Sequence, residues 1–300
     1  NIKVVAALHT GTMTPLAYKQ IEAAAKKYSK YSRLSAHSAK IFADGVIESH
    51  TAALLEPYSD QKNNNKKQSL NFSPDELQIM VKELAKRGFQ IHIHAIGDGA
   101  VRAALDALEA APAGGDLRHQ IAHLQLVAPA DLKRFAALNV TANCQAAWAY
   151  QDPYIKDLTA PLLGSERMAR IYPFNSLKQV GARLAAGSDW TVSTLNPLEA
   201  MQTAVTRQAP KQNGGSTVEP PLNAREALEL GDIAQAYTTG GAYVNHSEKQ
   251  TGSLEVGKCA DLVMLDRNIF ELTKSEIASA KVLLTLIDGK TVYKDSNLSF

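Results

Sequence analysis

The sequence contains 300 residues, 45% of them hydrophobic, which suits one large α/β barrel or two medium-sized domains with buried cores. Its 32 lysine and arginine residues nearly balance 30 aspartate and glutamate residues, so no basic face predicts binding to nucleic acid or to an anionic membrane surface. No stretch reaches the ~20 apolar residues of a membrane-spanning helix. We therefore expect a small-molecule substrate, with no nucleic acid and no membrane as partner.

Strand-like segments alternate with helical patterns along most of the chain. They lie at residues 2–8, 38–43, 89–95, 119–126, 139–144 and 182–187. This alternation predicts a parallel sheet built from βα units, and hence an α/β fold. Two helix starts are well marked: residues 73–76 (SPDE) have the pattern of a capping box, and Asn196-Pro197 resembles that start. From residue 251 onward the pattern changes to short strands, with a hairpin turn predicted at Asp288-Gly289.

The segment at residues 89–99 (FQIHIHAIGDG) places two histidines at the end of an apolar strand. Because strand side chains alternate, His92 and His94 share one face, while the isoleucines share the other. In an α/β barrel the apolar face packs on the helices, so we expect the histidines inside, with His94 nearest the carboxyl end. The Gly97-Asp98-Gly99 turn follows, with Asp98 as a helix cap or loop anchor. Phosphate binding at this turn is an alternative, although the three-glycine dinucleotide fingerprint is absent.

Other predicted strands also end in groups that bind metals or move protons. His119 and His123 share one face of their strand, Asp189 follows a later strand, and Lys40 lies on an otherwise apolar one. Active sites of α/β barrels lie at the carboxyl ends of the strands, where two imidazoles and a carboxylate suit a divalent ion such as zinc. The two cysteines, Cys144 and Cys259, are too far apart in sequence to predict a disulfide framework or a paired-cysteine zinc site.

Each candidate also has a structural interpretation. A single strand histidine is usually a hydrogen-bonded core residue, and for His92 and His119 we favour that role. Lys40 is costly to bury unless it is paired, for example with Asp44, or chemically altered.

Three polar side chains are candidates for substrate binding. Gln145 and Trp148 line a pocket or pack a loop, and Arg170, like Arg167, either meets a substrate carboxylate or lies on a helix surface.

Several motifs resemble the amidohydrolase superfamily, most closely its branch of N-substituted formamide deformylase-like and YtcJ-like hydrolases (amidohydrolase family 3). They are AKIFADGVIESHTAALLEPY, IHIHAIGDGAV, IAHLQLV, AAGSDWTVSTLNPLEAMQTAVTR and TGSLEVGKCADLVMLDRN, in this order along nearly the whole chain. The resemblance implies a metal-bearing (β/α)8 TIM barrel beside a β-sandwich. It also implies one or two divalent metal ions, with zinc as the expected ion.

The resemblance assigns roles to four residues. His94 and His123 match the fifth- and sixth-strand metal ligands, and Asp189 matches the eighth-strand aspartate. That aspartate contacts the metal, orients the attacking water and takes its proton. Lys40 matches the fourth-strand lysine that is carbamylated and bridges two metals in binuclear members.

The family's first metal motif, His-x-His after the first strand, has no match in this sequence. We therefore expect a C-terminal portion of a larger hydrolase. The expected division is a partial barrel (about strands 3–8) at residues 1–250 and C-terminal β-strands at residues 251–300. Open strand edges would then need cover from another chain or from a homodimer.

The predicted function is metal-dependent hydrolysis of a carbon–nitrogen bond, in an amide or N-formyl-like group. With two expected ligands absent, we predict weak or no turnover by this chain alone. The alternative is a non-catalytic regulatory or binding module that keeps the barrel architecture. The sequence does not choose between a cytoplasmic and a periplasmic location.

Overall fold

The computed structural model describes residues 2–11, 14–61, 70–112, 115–210 and 219–298, which form two compact units. The sheet unit comprises residues 3–144 and 153–184, and the C-terminal unit comprises residues 2, 145–152 and 185–298. The sequence predicts a boundary at residue 250, where the helical pattern gives way to short strands. The compact units divide the chain at other positions, so that domain boundary stays a prediction.

Six strands form one sheet in the order β1-β2-β3-β4-β5-β6. They are β1 Val4–His9, β2 Leu34–Phe42, β3 Gln90–Ala95, β4 Gln120–His123, β5 Thr141–Cys144 and β6 Leu184–Ala186. Strands β1 to β5 pair as parallel neighbours. Each strand overlaps a predicted segment, so the expected alternation of strands and helices is confirmed.

Helices connect the successive strands of the sheet unit. They are α1 Pro15–Tyr28, α2 Pro74–Lys86, α3 Asp98–Glu109, α4 Leu132–Ala137, α5 Ala160–Met168 and α6 Phe174–Gln179. Helix α2 begins at the predicted capping box: the Ser73 hydroxyl accepts from Glu76 N–H, and the Glu76 carboxylate accepts from Ser73 N–H. The reciprocal bonds satisfy backbone donors that the first helical turn cannot pair.

The inner face of the sheet carries a chain of amide side chains. Gln90 donates to the Arg118 carbonyl, Gln120 donates to Gln90 at 3.0 Å, and Asn143 donates to Gln120 at 2.7 Å. These bonds cross from β3 to β5, so they satisfy amides that would be costly to bury alone. The bond between Gln90 and Gln120 also shows that both side chains lie on the same face of the sheet, which is therefore polar.

The described residues of the C-terminal unit form three α-helices and a small antiparallel sheet. Its elements are α7 Pro197–Thr206, α8 Leu230–Gln235, α9 Gly241–Val244, β7 Leu262–Leu265, β8 Val282–Ile287 and β9 Lys290–Lys294. Asn196 caps α7 by accepting from Leu198 N–H, as its sequence predicts. The sheet has the order β7-β8-β9, and the predicted turn at Asp288-Gly289 has positive φ at both residues. This geometry matches the right-handed twist of a hairpin.

Among the described residues, no helix combines the length and apolar character needed to cross a membrane. Neither cysteine forms a disulfide.

The turn after β3 lies against the loop that follows β2. Gly97 has no side chain, and a Cβ built there would lie 2.1 Å from the Ala53 carbonyl oxygen. The N–H groups of Gly99 and Ala100 both donate to that same oxygen, at 2.9 and 3.1 Å. A glycine is therefore required at position 97 by close backbone approach rather than by an unusual φ.

We predict that Gly97→Ala destabilises the protein by about 1–3 kcal/mol or more, because a backbone oxygen must move to admit the methyl group. The midpoint of urea unfolding measures the change. Gly231→Ala in α8 is the matched control, since an added Cβ there meets no neighbouring atom within 4 Å. It should be neutral or slightly stabilising, and equal effects of the two substitutions would contradict the prediction.

Candidate metal centre

The carboxyl ends of β1 to β4 bring several predicted site residues to one edge of the sheet. The register pairs His9 with Lys40, Lys40 with His92, and Phe42 with His94. Residues paired in this way lie side by side on the same face. Lys40, His92 and His94 therefore share the polar inner face, as predicted.

Four rings form a contiguous row along this edge. Ring centroids are 5.5 Å apart for His9 and Phe42, 5.1 Å for Phe42 and His94, and 4.5 Å for His94 and His123. The Lys40 Nζ atom lies 5.0 Å from the Phe42 ring centroid. The structure thus brings together three of the four residues predicted to hold a metal: Lys40, His94 and His123. His9 also joins the row, although its sequence context carries no signal beyond its place at a strand end.

His123 reaches this row through an unusual backbone conformation. The register pairs it with Ala95, on the face opposite His94, and places Ala122 beside His94. Strict alternation would therefore direct the imidazole away from the inner face. His123 has φ 78° and Leu124 has φ 52°, and this left-handed turn accompanies the 4.5 Å approach of the two rings. The expectation that His119 and His123 share a face assumes unbroken alternation, which the left-handed φ at His123 interrupts, and it stays a prediction.

A left-handed conformation costs non-glycine residues free energy, of order 1–3 kcal/mol. Such strain is concentrated at functional sites, where the surrounding structure enforces it. At His123 it places a polar ring next to a second imidazole, with only 5% of the residue exposed.

One nitrogen of His94 is engaged by the protein itself. Nε2 lies 2.9 Å from the Gly45 carbonyl oxygen and 3.6 Å from Asp44 Oδ1. Because a carbonyl only accepts, Nε2 carries the hydrogen, and Nδ1 carries the lone pair of the neutral ring. A metal-binding histidine normally donates its other N–H to a carbonyl or carboxylate in this way.

Burial keeps these imidazoles neutral. It lowers the pKa of His94 to about 4, and the Lys40 charge acts in the same direction, against the hydrogen bond to Gly45. Burial also lowers the pKa of His92 to about 3, assisted by Lys40 and His94. His92 Nε2 is buried with no hydrogen-bond partner in the described structure. Neutral imidazole is the form that binds a metal, so His94, with the His123 ring beside it, fits a divalent ion.

Two features limit this fit. Lys40 as an ammonium would repel a bound cation, so it fits a metal only after losing its charge. Within the described part of the sheet unit, no three His, Cys, Asp or Glu side chains bring donor atoms within 4.8 Å of one another. The described part of the sheet unit therefore offers the His94–His123 pair rather than a complete ligand set.

Asp44 is a site residue that the sequence suggests only as a partner for Lys40. Its carboxylate is 1% exposed and accepts three backbone N–H bonds, from Ala53, Ile96 and Gly97. Burial raises its pKa to about 7, against these donors. Gly97, Gly99 and Ala100 N–H groups are thus occupied by acceptors of the chain itself, which removes the donors that phosphate would need at this turn.

Asp98 is a loop anchor rather than a helix cap. It is the first residue of α3, and Gly97 occupies the cap position. The Asp98 carboxylate accepts from Leu55 N–H at 2.9 Å.

The two predicted arginines contact protein groups. Arg170 donates to the Val127 carbonyl at 3.1 Å and lies 3.7 Å from Asp98. The buried Arg167 donates to the carbonyls of Leu162, Leu163 and Glu56 and to the Ser59 hydroxyl. Substrate binding by Arg170 stays a prediction, and it would compete with the contact to Asp98.

Asp189, Gln145 and Trp148 belong to the C-terminal unit. Asp189 is exposed, lies three residues after the end of β6 and has φ 55°, and its carbonyl accepts from Val192 N–H at 2.8 Å. Gln145 is buried at the start of a short 3-10 turn that contains Trp148. Their proposed roles stay predictions.

Residues 3–293 match the amidohydrolase family over almost the whole chain. The chain belongs to this family. It is 36% identical over 258 residues to Protein LONG AFTER FAR-RED 3 of Arabidopsis thaliana, covering 85% of this chain and 42% of that protein. It is 28% identical over 281 residues to the putative amidohydrolase YtcJ of Bacillus subtilis, covering 93% and 50%.

A solved structure shows the same fold. The chain is similar to an uncharacterized metal-dependent hydrolase from Pyrococcus horikoshii, with a TM-score of 0.74 and 28% identity. The likeness covers 91% of this chain and 52% of that one, so the chain spans about half the length of the proteins it matches. These findings confirm the family and the α/β barrel class predicted from the sequence.

We predict that the free energy of unfolding rises with pH between about pH 4 and 6.5. In this window the histidines of an unfolded chain bind protons, because their pKa values are about 6.5. Folded His92, His94 and His119, with pKa values lowered to about 3, 4 and 4, stay neutral. Each histidine adds up to about 1.4 kcal/mol per pH unit to the slope. Asp44 acts oppositely, because its folded pKa of about 7 lies above its unfolded value.

Urea titrations at several pH values across this window measure the slope. His119→Asn should make it shallower by about one proton, because asparagine does not titrate. Asparagine still presents an oxygen acceptor to Ile91 N–H, which donates to His119 Nδ1 at 3.0 Å. An unchanged slope would show that His119 stays accessible to protons in the folded protein.

Proposed function

We propose that the chain carries part of the metal centre of a hydrolase that cleaves a carbon–nitrogen bond in an amide or N-formyl-like group. The observation that carries the proposal is the His94–His123 pair, with rings 4.5 Å apart and with the N–H of His94 already bonded to Gly45. Membership of the amidohydrolase family supports the reaction class.

Zinc is the expected ion, held by His94 and His123 and, after carbamylation, by Lys40. Bound divalent metal supplies Lewis-acid chemistry, polarising a carbonyl and lowering the pKa of water. The residues of the chain would orient the ligands and move the proton. His94 is oriented through Gly45, and burial lowers the pKa of its ring and so opposes its protonation. In this proposal Asp189 would be a further metal ligand and the general base, taking the proton of the attacking water and returning it to the leaving nitrogen.

The number of ions depends on Lys40 in this proposal. As an ammonium Lys40 would be no ligand and would oppose a bound ion, whereas as a carbamate, formed from its neutral amine and carbon dioxide, it would supply anionic oxygen ligands for a second ion. Gln145, Trp148 and Arg170 are the proposed substrate contacts, and a homodimer is one way to cover an open strand edge.

We predict that His94→Gln and His123→Gln each weaken zinc binding by about tenfold or more, since losing even a group that supports a ligand costs 10- to 100-fold. Isothermal titration of the purified chain with zinc measures the affinity. His119→Gln is the matched control, because His119 accepts from Ile91 N–H and lies outside the row of rings. An equal loss in all three variants would indicate general destabilisation.

If the unsubstituted chain binds no zinc, the metal-centre proposal fails and the non-catalytic module becomes the better interpretation. Elemental analysis after dialysis distinguishes these outcomes.

We predict weak or no turnover of N-formyl and N-acyl amines by the chain alone. Fusing it to the part of the Bacillus subtilis relative that the chain does not match should raise turnover. In that active form, Asp189→Asn should lower kcat by about 100-fold or more, the range expected for a lost general base, and leave zinc content largely intact. Undiminished kcat in the Asn variant would remove the role assigned to Asp189.

A further inference from the structure

Asp44 links two loops that end at the candidate metal centre. Its Oδ2 atom accepts from Ala53 N–H in the loop after β2 and from Gly97 N–H in the turn after β3. Its Oδ1 atom accepts from Ile96 N–H at 3.0 Å. Three backbone donors from two separate segments therefore converge on one buried carboxylate.

The same carboxylate lies beside the ring of His94. Oδ1 is 3.6 Å from His94 Nε2, and the carbonyl that receives the Nε2 hydrogen belongs to Gly45, the next residue in the chain. The Gly45 N–H donates to the Thr51 carbonyl at 2.9 Å, and the N–H of Val46, which shares a peptide unit with the Gly45 carbonyl, donates to the Thr51 hydroxyl at 3.0 Å. Thr51 therefore holds the peptide that carries the Gly45 carbonyl, and Asp44 is the residue that precedes it.

We propose that Asp44 is a positioning residue that fixes the orientation and tautomer of the His94 ring. It does so by holding the Ile96-Gly97 turn and the loop at Ala53, which keeps its carboxylate beside Nε2 and the adjacent Gly45 carbonyl in reach of the Nε2 hydrogen. The inference rests on the proposed function only in treating His94 as a metal ligand. The orientation of the ring is a property of the metal-free protein and can be tested there.

A carboxylate that only joined the two loops would not affect the His94 ring. Asp98 is a residue of that kind: it is 3% exposed, accepts from Leu55 N–H at 2.9 Å, and lies 3.7 Å from Arg170. It connects the same two loops as Asp44, but it contacts Leu55 and Arg170 rather than His94. Substitution of Asp98 therefore reports the cost of loosening the loops, without the effect on the ring.

The experiment compares Asp44→Asn with Asp98→Asn in the full chain. Nitrogen NMR of labelled histidine rings gives the His94 tautomer without metal, and titration with zinc alone gives the affinity. We expect the unsubstituted chain to show a single Nε2–H tautomer. Asp44→Asn should give a mixture of tautomers and about 10- to 100-fold weaker zinc binding, whereas Asp98→Asn should leave both unchanged.

Three results would overturn the inference. They are a His94 ring protonated at Nδ1 in the unsubstituted chain, an unchanged tautomer in Asp44→Asn, and equal effects in both variants. If Asp44→Asn fails to fold, Asp44→Ser keeps one oxygen acceptor and serves as the second variant. A chain that binds no zinc would defeat the proposed function, while the tautomer measurement would still decide the role of Asp44.

Discussion

The candidate centre depends on the need to satisfy polar groups that are buried on the inner face of a parallel sheet. An unpaired buried donor or acceptor costs about 1–3 kcal/mol, so each such group must find a partner or a functional use. Deeper in the sheet, amides pair with one another across β3, β4 and β5. At the carboxyl edge, the Asp44 carboxylate accepts from backbone N–H groups of the turn after β3, and the Gly45 carbonyl accepts from His94.

This arrangement explains why the imidazole pair can be both buried and ordered. His94 donates one hydrogen to a fixed carbonyl, and burial keeps the other nitrogen unprotonated. The approach of His123 goes with a backbone that turns left-handed at the end of β4. The left-handed backbone at His123 and the bonds around Asp44 therefore accompany one geometric result, two imidazole rings with centroids 4.5 Å apart.

Local signals in the sequence are sufficient for much of this fold. Alternating patterns locate the strands, and the residues after Ser73 specify a helix start through bonds that span three positions. The amidohydrolase motifs also identify His94 and His123. The role of Asp44 could not be predicted, because its partners are backbone N–H groups up to 53 positions away, and every residue except proline supplies one. Side-chain alternation alone also does not predict the orientation of His123, because it would place this ring on the face opposite His94.

Lys40 presents the remaining electrostatic problem of the proposed centre. As an ammonium beside two imidazoles, it helps to keep His92 and His94 neutral, because it lowers the pKa of both. The same positive charge opposes a divalent ion at the same edge, and that opposition is strong where water is excluded. Carbamylation of Lys40 would reverse the sign, since an anionic oxygen ligand would replace a buried cation. The ammonium form of Lys40 would then oppose metal binding at the His94–His123 pair, and the carbamate form would favour it.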